Sequence, residues 1–230
     1  MSLKNTIVLV TLFLTSIGFS QNCSKYYPFS EGTTMEITSY EKNQKVAATI
    51  DYIVKDVSII SGNETATMST VIKDKKGKPI METDYEMICS NDLVSIDFKS
   101  MMSPQLMKQF KDLETEVSGT NLNLPNDLSI GQTLPDASIV IKMNMSGIKM
   151  DIATKMTNRE VIGEESITTP AGTFDCLVIT YSMEVAMSMG VNQNSSAKQW
   201  ISEGVGMVKQ EDYNKKGKIT SSSLLTAFSK

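Results

Sequence analysis

The sequence predicts a mainly β protein: an antiparallel barrel or curved sheet of about ten strands, with one helix or helical lid. Three observations predict this class. Apolar side chains alternate with polar ones along most of the chain, turns that contain Gly, Asn or Pro separate the alternating stretches, and a single stretch carries apolar residues at helical spacing. The 230 residues are enough for one domain to bury its own core.

The first twenty residues resemble a secretion signal. Lys4 supplies a positive charge, residues 6–19 are mostly apolar, and Ser20 ends the small-residue pattern that a signal peptidase recognises. The apolar run is shorter than the ~20 residues that cross a bilayer, which makes a membrane anchor the weaker alternative. We therefore expect cleavage of residues 1–20, export to the periplasm or the cell exterior, and one mature domain over residues 21–230 without a transmembrane segment.

If the protein is exported, its three cysteines can form disulfides, because the compartment is oxidising. Cys176 opens an alternating stretch and is typical of a buried small apolar residue. We therefore pair Cys23 with Cys89 and leave Cys176 as a thiol, with three free thiols as the alternative. Asn22, rather than a small residue, directly precedes Cys23, which argues against lipid attachment at that cysteine.

The N-terminal half predicts a meander of strands. An aromatic entry at residues 26–29 leads to a first strand that contains Met35 and Ile37. The later strands repeat apolar or small residues at every second position: Val46, Ala48, Ile50, Tyr52 and Val54; Ala66, Met68, Thr70 and Ile72; Met81, Thr83, Tyr85, Met87 and Cys89; Val94, Ile96 and Phe98. Residues 74–79 form a Lys-Gly hairpin connection between two of them.

The spacing of the apolar residues changes from every second position to a helical period between residues 100 and 118. Ser103 can cap a helix, and Pro104 suits its first position. The apolar residues at helical spacing are Leu106, Met107, Phe110 and Leu113. We predict one helix here, which serves as a lid or as a simple crossover. Residues 120–137 contain two prolines and a glycine and predict a loop that still contacts the core.

The clearest strand register lies on either side of Ser146 and Gly147. A two-residue turn there places every large apolar residue of the two strands on one side. The predicted pairs are Met145 with Ile148, Met143 with Met150 and Ile141 with Ile152. A bulge at Gly147 within one long strand is the alternative.

The C-terminal part begins with a turn at residues 163–166 and a second turn at residues 169–173. The longest alternating strand follows, with the apolar series Leu177, Ile179, Tyr181, Met183, Val185, Met187 and Met189. A linker of small polar residues then leads to a short strand that contains Trp200. A second Lys-Gly hairpin at residues 214–218 precedes the final strand.

Four stretches, residues 23–32, 128–134, 169–176 and 198–209, resemble the TapB-like family of uncharacterised exported bacterial proteins, common in Bacteroidetes. The resemblance covers most of the mature chain, and its motifs are turns. It implies a curved antiparallel half-barrel, similar to that of bacterial lipoprotein carriers, in which the sheet wraps a hydrophobic cavity. It implies no catalytic residues.

Composition argues against several classes of function. A formal net charge of −4, with scattered Lys and Arg, offers no basic face to nucleic acid. Histidine is absent, which removes the commonest general base and the commonest metal ligand. No residue pattern suits a nucleophile or a cofactor. We therefore expect a protein of the cell envelope that is not an enzyme and holds no cofactor and no metal.

The methionine-rich strands predict a binder of an apolar ligand, a lipid or a lipidated chain in the concave face of the sheet, because Met side chains line adaptable apolar pockets. The candidate ligand-binding residues are Met143, Met145, Met150, Met183, Met187, Met189 and Trp200. The same side chains could instead fill a closed core.

Two other functions remain open. An envelope interaction module would bind a protein partner through a sheet edge or through Tyr26, Tyr27 and Phe29. A remoter alternative is Cu(I) binding by the Met-x-Met pairs at residues 143–145 and 187–189, since thioethers prefer that ion. Buried strands produce the same spacing without any metal.

Overall fold

The computed structural model of the chain describes residues 23–96, 114–145, 148–188, 190 and 192–230. The expected secretion signal, residues 1–20, lies outside these ranges. Within them the chain forms fourteen strands and no helix. The strands are β1 (Thr34–Glu41), β2 (Val46–Ile60), β3 (Asn63–Asp74), β4 (Pro79–Ser90), β5 (Leu93–Ile96), β6 (Glu114–Gly119), β7 (Leu122–Pro125), β8 (Thr133–Leu134), β9 (Ala137–Met145), β10 (Ile148–Thr169), β11 (Gly172–Met187), β12 (Asn192–Ser202), β13 (Gly206–Asn214) and β14 (Ile219–Ser229).

All strands belong to one antiparallel sheet that curls without closing. Its order is β6-β9-β10-β11-β12-β13-β14-β1-β2-β3-β4-β5-β7, and the short β8 pairs with β10 beside this path. The end strands β6 and β7 follow each other in the sequence, and the three Cα steps from Gly119 to Leu122 span at most about 11 Å. The two edges therefore lie close together although they share no ladder.

The predicted class, mainly β and antiparallel, is confirmed, but the details differ from the sequence expectation. The described residues contain fourteen strands rather than about ten. The C-terminal end of the predicted helix is strand β6, because its backbone pairs with β9 from Glu114 to Gly119. The rest of that helix lies outside the described residues. The predicted loop at residues 120–137 contains β7 and β8.

Two further boundaries are corrected. The turn expected at residues 163–166 does not form, because β10 continues to Thr169. Gly163 lies within this strand, next to a register shift, and pairs with Val178. The expected polar linker before Trp200 is mostly strand, since β12 begins at Asn192 and pairs with both β11 and β13. Polar side chains are compatible with a strand whose exposed face meets water.

The β9–β10 register is confirmed residue by residue: Met145 pairs with Ile148, Met143 with Met150 and Ile141 with Ile152. The two Lys-Gly hairpins are also confirmed. In the first hairpin, Asp74 Oδ1 accepts hydrogen bonds from two backbone N–H groups of the turn, and Gly77 adopts positive φ. In the second hairpin, Asn214 Oδ1 and Gly217 have the same roles.

The N-terminal segment, residues 23–33, packs into the core. Tyr26 is 2% and Phe29 3% exposed, so these aromatic rings do not form the exposed partner surface considered above. A disulfide joins the two cysteines that the sequence pairs, Cys23 and Cys89, with Cα atoms 5.9 Å apart. Cys176 is a buried free thiol.

The concave side of the sheet is identified by contacts between distant strands. Leu124 of β7 and Ile179 of β11 lie in one buried cluster together with Tyr26. Strands this far apart in the sheet order can meet only across the inside of a curved sheet. Tyr181, Met183 and the later odd-numbered residues of β11 share the face of Ile179.

Candidate functional site

An apolar face runs along β9, β10 and β11 on the concave side of the sheet. Residues that pair across antiparallel strands lie on the same face. The register of β9, β10 and β11 therefore shows which of their side chains share the concave face. We call the following set the Met-rich face: Ile139, Ile141, Met143, Ile152, Met156, Met183, Val185 and Met187. It continues directly from the core residues Ile179 and Tyr181.

The Met-rich face is only partly covered. Met143 is 4% exposed, Met187 is 37% exposed, and the other members are half-buried. The reverse side of the same strands carries the exposed Lys142, Lys155 and Glu184 beside the half-buried Val140, Ala153 and Ala186. These strands therefore present an accessible apolar side inward and a solvated side outward.

The structure brings together some of the sequence-predicted site residues. Met143, Met183 and Met187 belong to the Met-rich face. Met145 and Met150 occupy the same face by register, but their side chains are not among those described. Met189 lies outside the described residues, so neither Met-x-Met pair can be placed as a unit.

Trp200 does not join this group. It pairs with Val178, whereas Met183 pairs with Ser195, so Trp200 and Met183 point to opposite faces of the β11–β12 pair. The indole Nε1–H donates to Glu165 Oε2 at 2.9 Å, and Lys209 Nζ lies 4.4 Å from the ring centroid. These contacts and its 4% exposure hold Trp200 as part of the core.

A small cavity lies at the inner end of the Met-rich face and contains a charge that the sequence analysis missed. Its volume is about 40 Å³. It is lined by Tyr27, Ile96, Leu122, Leu124, Met156, Arg159, Ile179, Tyr181 and Gln199. Arg159 is 4% exposed. Its Nη1 donates to the backbone oxygens of Asn123, at 3.0 Å, and Pro135, at 2.6 Å.

The electrostatics of this cavity follow from burial. Removal from water lowers the pKa of Arg159, while Tyr27, Tyr181 and Asp136 act in the opposite direction. Burial also raises the pKa of Tyr27 and of Tyr181, so both phenols stay neutral at physiological pH. Arg159 is therefore the charged group of an otherwise neutral lining.

A second concavity, of about 690 Å³, lies among the N-terminal segment, the β10–β11 hairpin and the β12–β13 turn. Its charged lining is Lys25, Glu164, Glu165, Asp175 and Glu203. Lys25 and Glu203 form an ion pair at 2.8 Å, and Glu165 accepts the Trp200 hydrogen bond. Within the described ranges, no three His, Cys, Asp or Glu side chains are grouped so as to hold a metal ion.

Cys176 also lines this second cleft. Burial, with help from Asp175 and Glu165, raises the pKa of its thiol to about 11. The thiol is consequently protonated at neutral pH and is a weak nucleophile.

Among the residues that the structure describes, no helix has both the length and the apolar character needed to cross a membrane. The sequence profile of the DUF3108-like family matches residues 30–225 of the chain. The TapB-like name suggested by the turn motifs is not confirmed. No curated protein matches the chain.

Two solved structures are similar over almost the whole chain. One, from Parabacteroides distasonis, is described as a "putative lipoprotein"; it has a TM-score of 0.72 and 24% identity, covering 91% of this chain and 100% of its own. The other, from Bacteroides fragilis, is described as a "putative exported protein" with a YmcC-like fold; it has a TM-score of 0.71 and 21% identity, covering 90% and 100%. At these identities the likeness establishes the fold alone.

Proposed function

The chain belongs to the DUF3108-like family, and we propose that it is an exported, non-enzymatic protein of the cell envelope that binds the apolar chain of a lipid or of a lipidated partner on its Met-rich face. Export is supported by the secretion-signal pattern in residues 1–20 and by the descriptions of its two structural relatives. The disulfide between Cys23 and Cys89 fits an oxidising compartment.

One observation carries the proposal. The sheet is open, and its concave side continues from a closed core into apolar strands that are half-buried rather than covered. An accessible concave apolar surface is characteristic of ligand sites, and Met side chains adapt to chains of varied shape. The reverse face of the same strands carries exposed charged side chains, so the Met-rich face is the more apolar side of this region.

Binding of the neutral apolar probe N-phenyl-1-naphthylamine, followed by fluorescence, tests the proposal. Met187→Glu places a carboxylate on the exposed end of the Met-rich face and should weaken probe binding about tenfold or more, because an apolar ligand would have to desolvate that charge. Ala186→Glu introduces the same side chain at the next position, on the opposite face, and should leave binding unchanged.

Equal effects of the two substitutions, or no probe binding by the wild-type protein, would overturn the proposal. Mass spectrometry of lipid extracted from the purified protein gives an independent answer, since a binder should carry co-purified lipid that Met187→Glu reduces.

A second candidate, an envelope interaction module with a filled core, is favoured by the small interior cavity of about 40 Å³. Such a module should carry no extractable lipid. It should retain the same partner from an envelope extract whether or not Met187 is replaced by Glu.

A further inference from the structure

Arg159 is a buried cation that makes no direct ion pair with a described residue, although Asp136 acts on it from a longer distance. The ion pairs within 4.0 Å in the described ranges all involve lysines, so no described carboxylate lies that close to the guanidinium. Nη1 is occupied by two backbone oxygens, but the buried Nε–H has no hydrogen-bond acceptor. A buried charge that is not paired is costly, and an unsatisfied donor adds to that cost.

An anion would satisfy both deficits, and the cavity restricts its size. The space that Arg159 lines is about 40 Å³, on a measure by which ~10–15 Å³ holds one water molecule. A carboxylate at the end of a chain fits a space of this size. Tyr27 lines the same space, and its hydroxyl suits a charged oxygen. Tyr181 and Gln199 also line it, but the Tyr181 hydroxyl and the Gln199 amide already donate to Gln210 Oε1, at 3.2 Å and 3.5 Å.

The cavity and the Met-rich face share a residue. Met156 lines the cavity and also pairs with Met183, so it belongs to both. From Tyr181 to Met187, six residue steps along β11 at about 3.3 Å each give an apolar path of about 20 Å. That distance is comparable to an extended long-chain fatty acid.

We propose that the ligand of the Met-rich face is a single-chain fatty acid, with its carboxylate at Arg159 and its tail along Met156, Met183 and Met187. This inference rests on the proposed function, because it names the class of ligand for the same face. It also assigns Arg159 as the residue that distinguishes an acid from a neutral lipid of equal length.

The test compares palmitate with hexadecanol as competitors of N-phenyl-1-naphthylamine on the wild-type protein. Both carry the same chain length, and only palmitate carries a charge. Palmitate should bind about tenfold or more tightly than hexadecanol, the advantage expected of a charge-assisted hydrogen bond. Acetate should not displace the probe at millimolar concentration, because a free carboxylate lacks the apolar tail.

Arg159→Gln should weaken palmitate binding more than hexadecanol binding and so remove the preference for palmitate, while Arg159→Lys should retain part of that preference. Equal affinities of palmitate and hexadecanol for the wild type would overturn the fatty-acid inference and leave apolar binding intact. Displacement by neither competitor would instead count against the proposed function itself. A preference that survives in a folded Arg159→Gln protein would show that Arg159 has only a structural role in holding Asn123 and Pro135.

A measurement on the unmodified protein keeps the inference testable if Arg159→Gln does not fold. The ¹³C signal of carboxyl-labelled palmitate bound to the wild type should show a pKa below that of the acid in neutral micelles, because a nearby guanidinium favours the ionised form. An unchanged or raised pKa of the bound carboxyl would overturn the assignment.

Discussion

Arg159 faces the interior because of one extra residue in β10. The register passes from the Thr157–Ser182 pair to the Glu160–Thr180 pair, so Asn158 and Arg159 together oppose Tyr181. Asn158 adopts a φ of 52°, a conformation that Asn tolerates better than most residues. A bulge of this kind re-aims the side chains that follow it. Strict alternation would place Arg159 outward, on the side of Lys155 and Thr157.

Cys176 provides a prediction at the residue scale. Burial raises the pKa of its thiol to about 11, against 9.0 for an ordinary cysteine, so the reactive thiolate is scarce in the folded protein below pH 11. Alkylation by iodoacetamide should therefore rise with pH near pH 11 in the folded state and near pH 9 in denaturant. Mass spectrometry of the alkylated protein measures this, and rapid labelling of the folded protein at pH 8 would contradict the buried placement.

At the element scale, Gly119 ends edge strand β6, where the chain leaves for the other edge strand, β7. It ends β6 with a φ of 154°, and a Cβ at this position would lie 2.1 Å from the backbone oxygen of Ser138. The next residue, Thr120, donates its N–H to that same oxygen at 2.8 Å. A larger residue cannot enter without moving β6 away from β9.

Gly119→Ala should accordingly destabilise the protein by about 1–3 kcal/mol, the usual cost of backbone strain. Gly163→Ala is the control: Gly163 also lies in a strand, but a Cβ there meets no atom within 4 Å. Urea unfolding of both variants measures the difference. Equal stabilities would mean that the β6–β9 contact adjusts without cost.

At the scale of the whole molecule, the N-terminal segment ties the two halves of the sheet together. Cys23 is bonded to Cys89 on β4, and the Asn126 side chain donates to the Cys23 backbone oxygen at 2.6 Å. The Lys25 backbone oxygen accepts a hydrogen bond from Gly204 at the β12–β13 turn. The open sheet thus gains a cross-connection that its strand ladder lacks.

Removal of this disulfide should lower the stability of the whole domain. Its sequence separation is 66 residues, for which the chain-entropy estimate is about 4 kcal/mol. The double substitution Cys23→Ala and Cys89→Ala should therefore lower the melting temperature by roughly 10 °C. Cys176→Ala leaves the disulfide in place and should have a much smaller effect. A similar loss in both proteins would show that the disulfide itself is not a main source of stability.

The sequence by itself determined the features that depend on neighbours along the chain. Alternation of Ile141, Met143 and Met145 against Ile148 to Ile152 was sufficient for the β9–β10 register, because side-chain period and turn length fix pairing locally. The Lys-Gly turns and the antiparallel β class followed from the same local chemistry. The expected pairing of Cys23 with Cys89 followed from export and the buried character of Cys176, but three free thiols stayed open until the structure placed the two cysteines together.

Tertiary structure alone decided what depends on distant strands. Glu114–Gly119 forms a strand because its backbone pairs with β9. The helical spacing of apolar residues that precede it in the sequence did not decide its conformation. Trp200 lies opposite the Met-rich face because the β11–β12 register pairs it with Val178 rather than with an odd-numbered residue of β11. The inward turn of Arg159 requires the bulge and the carbonyls of Asn123 and Pro135, contributed by segments far away in sequence. Such contacts leave no periodic signal, since burial on the concave side is set by the curvature of the whole sheet.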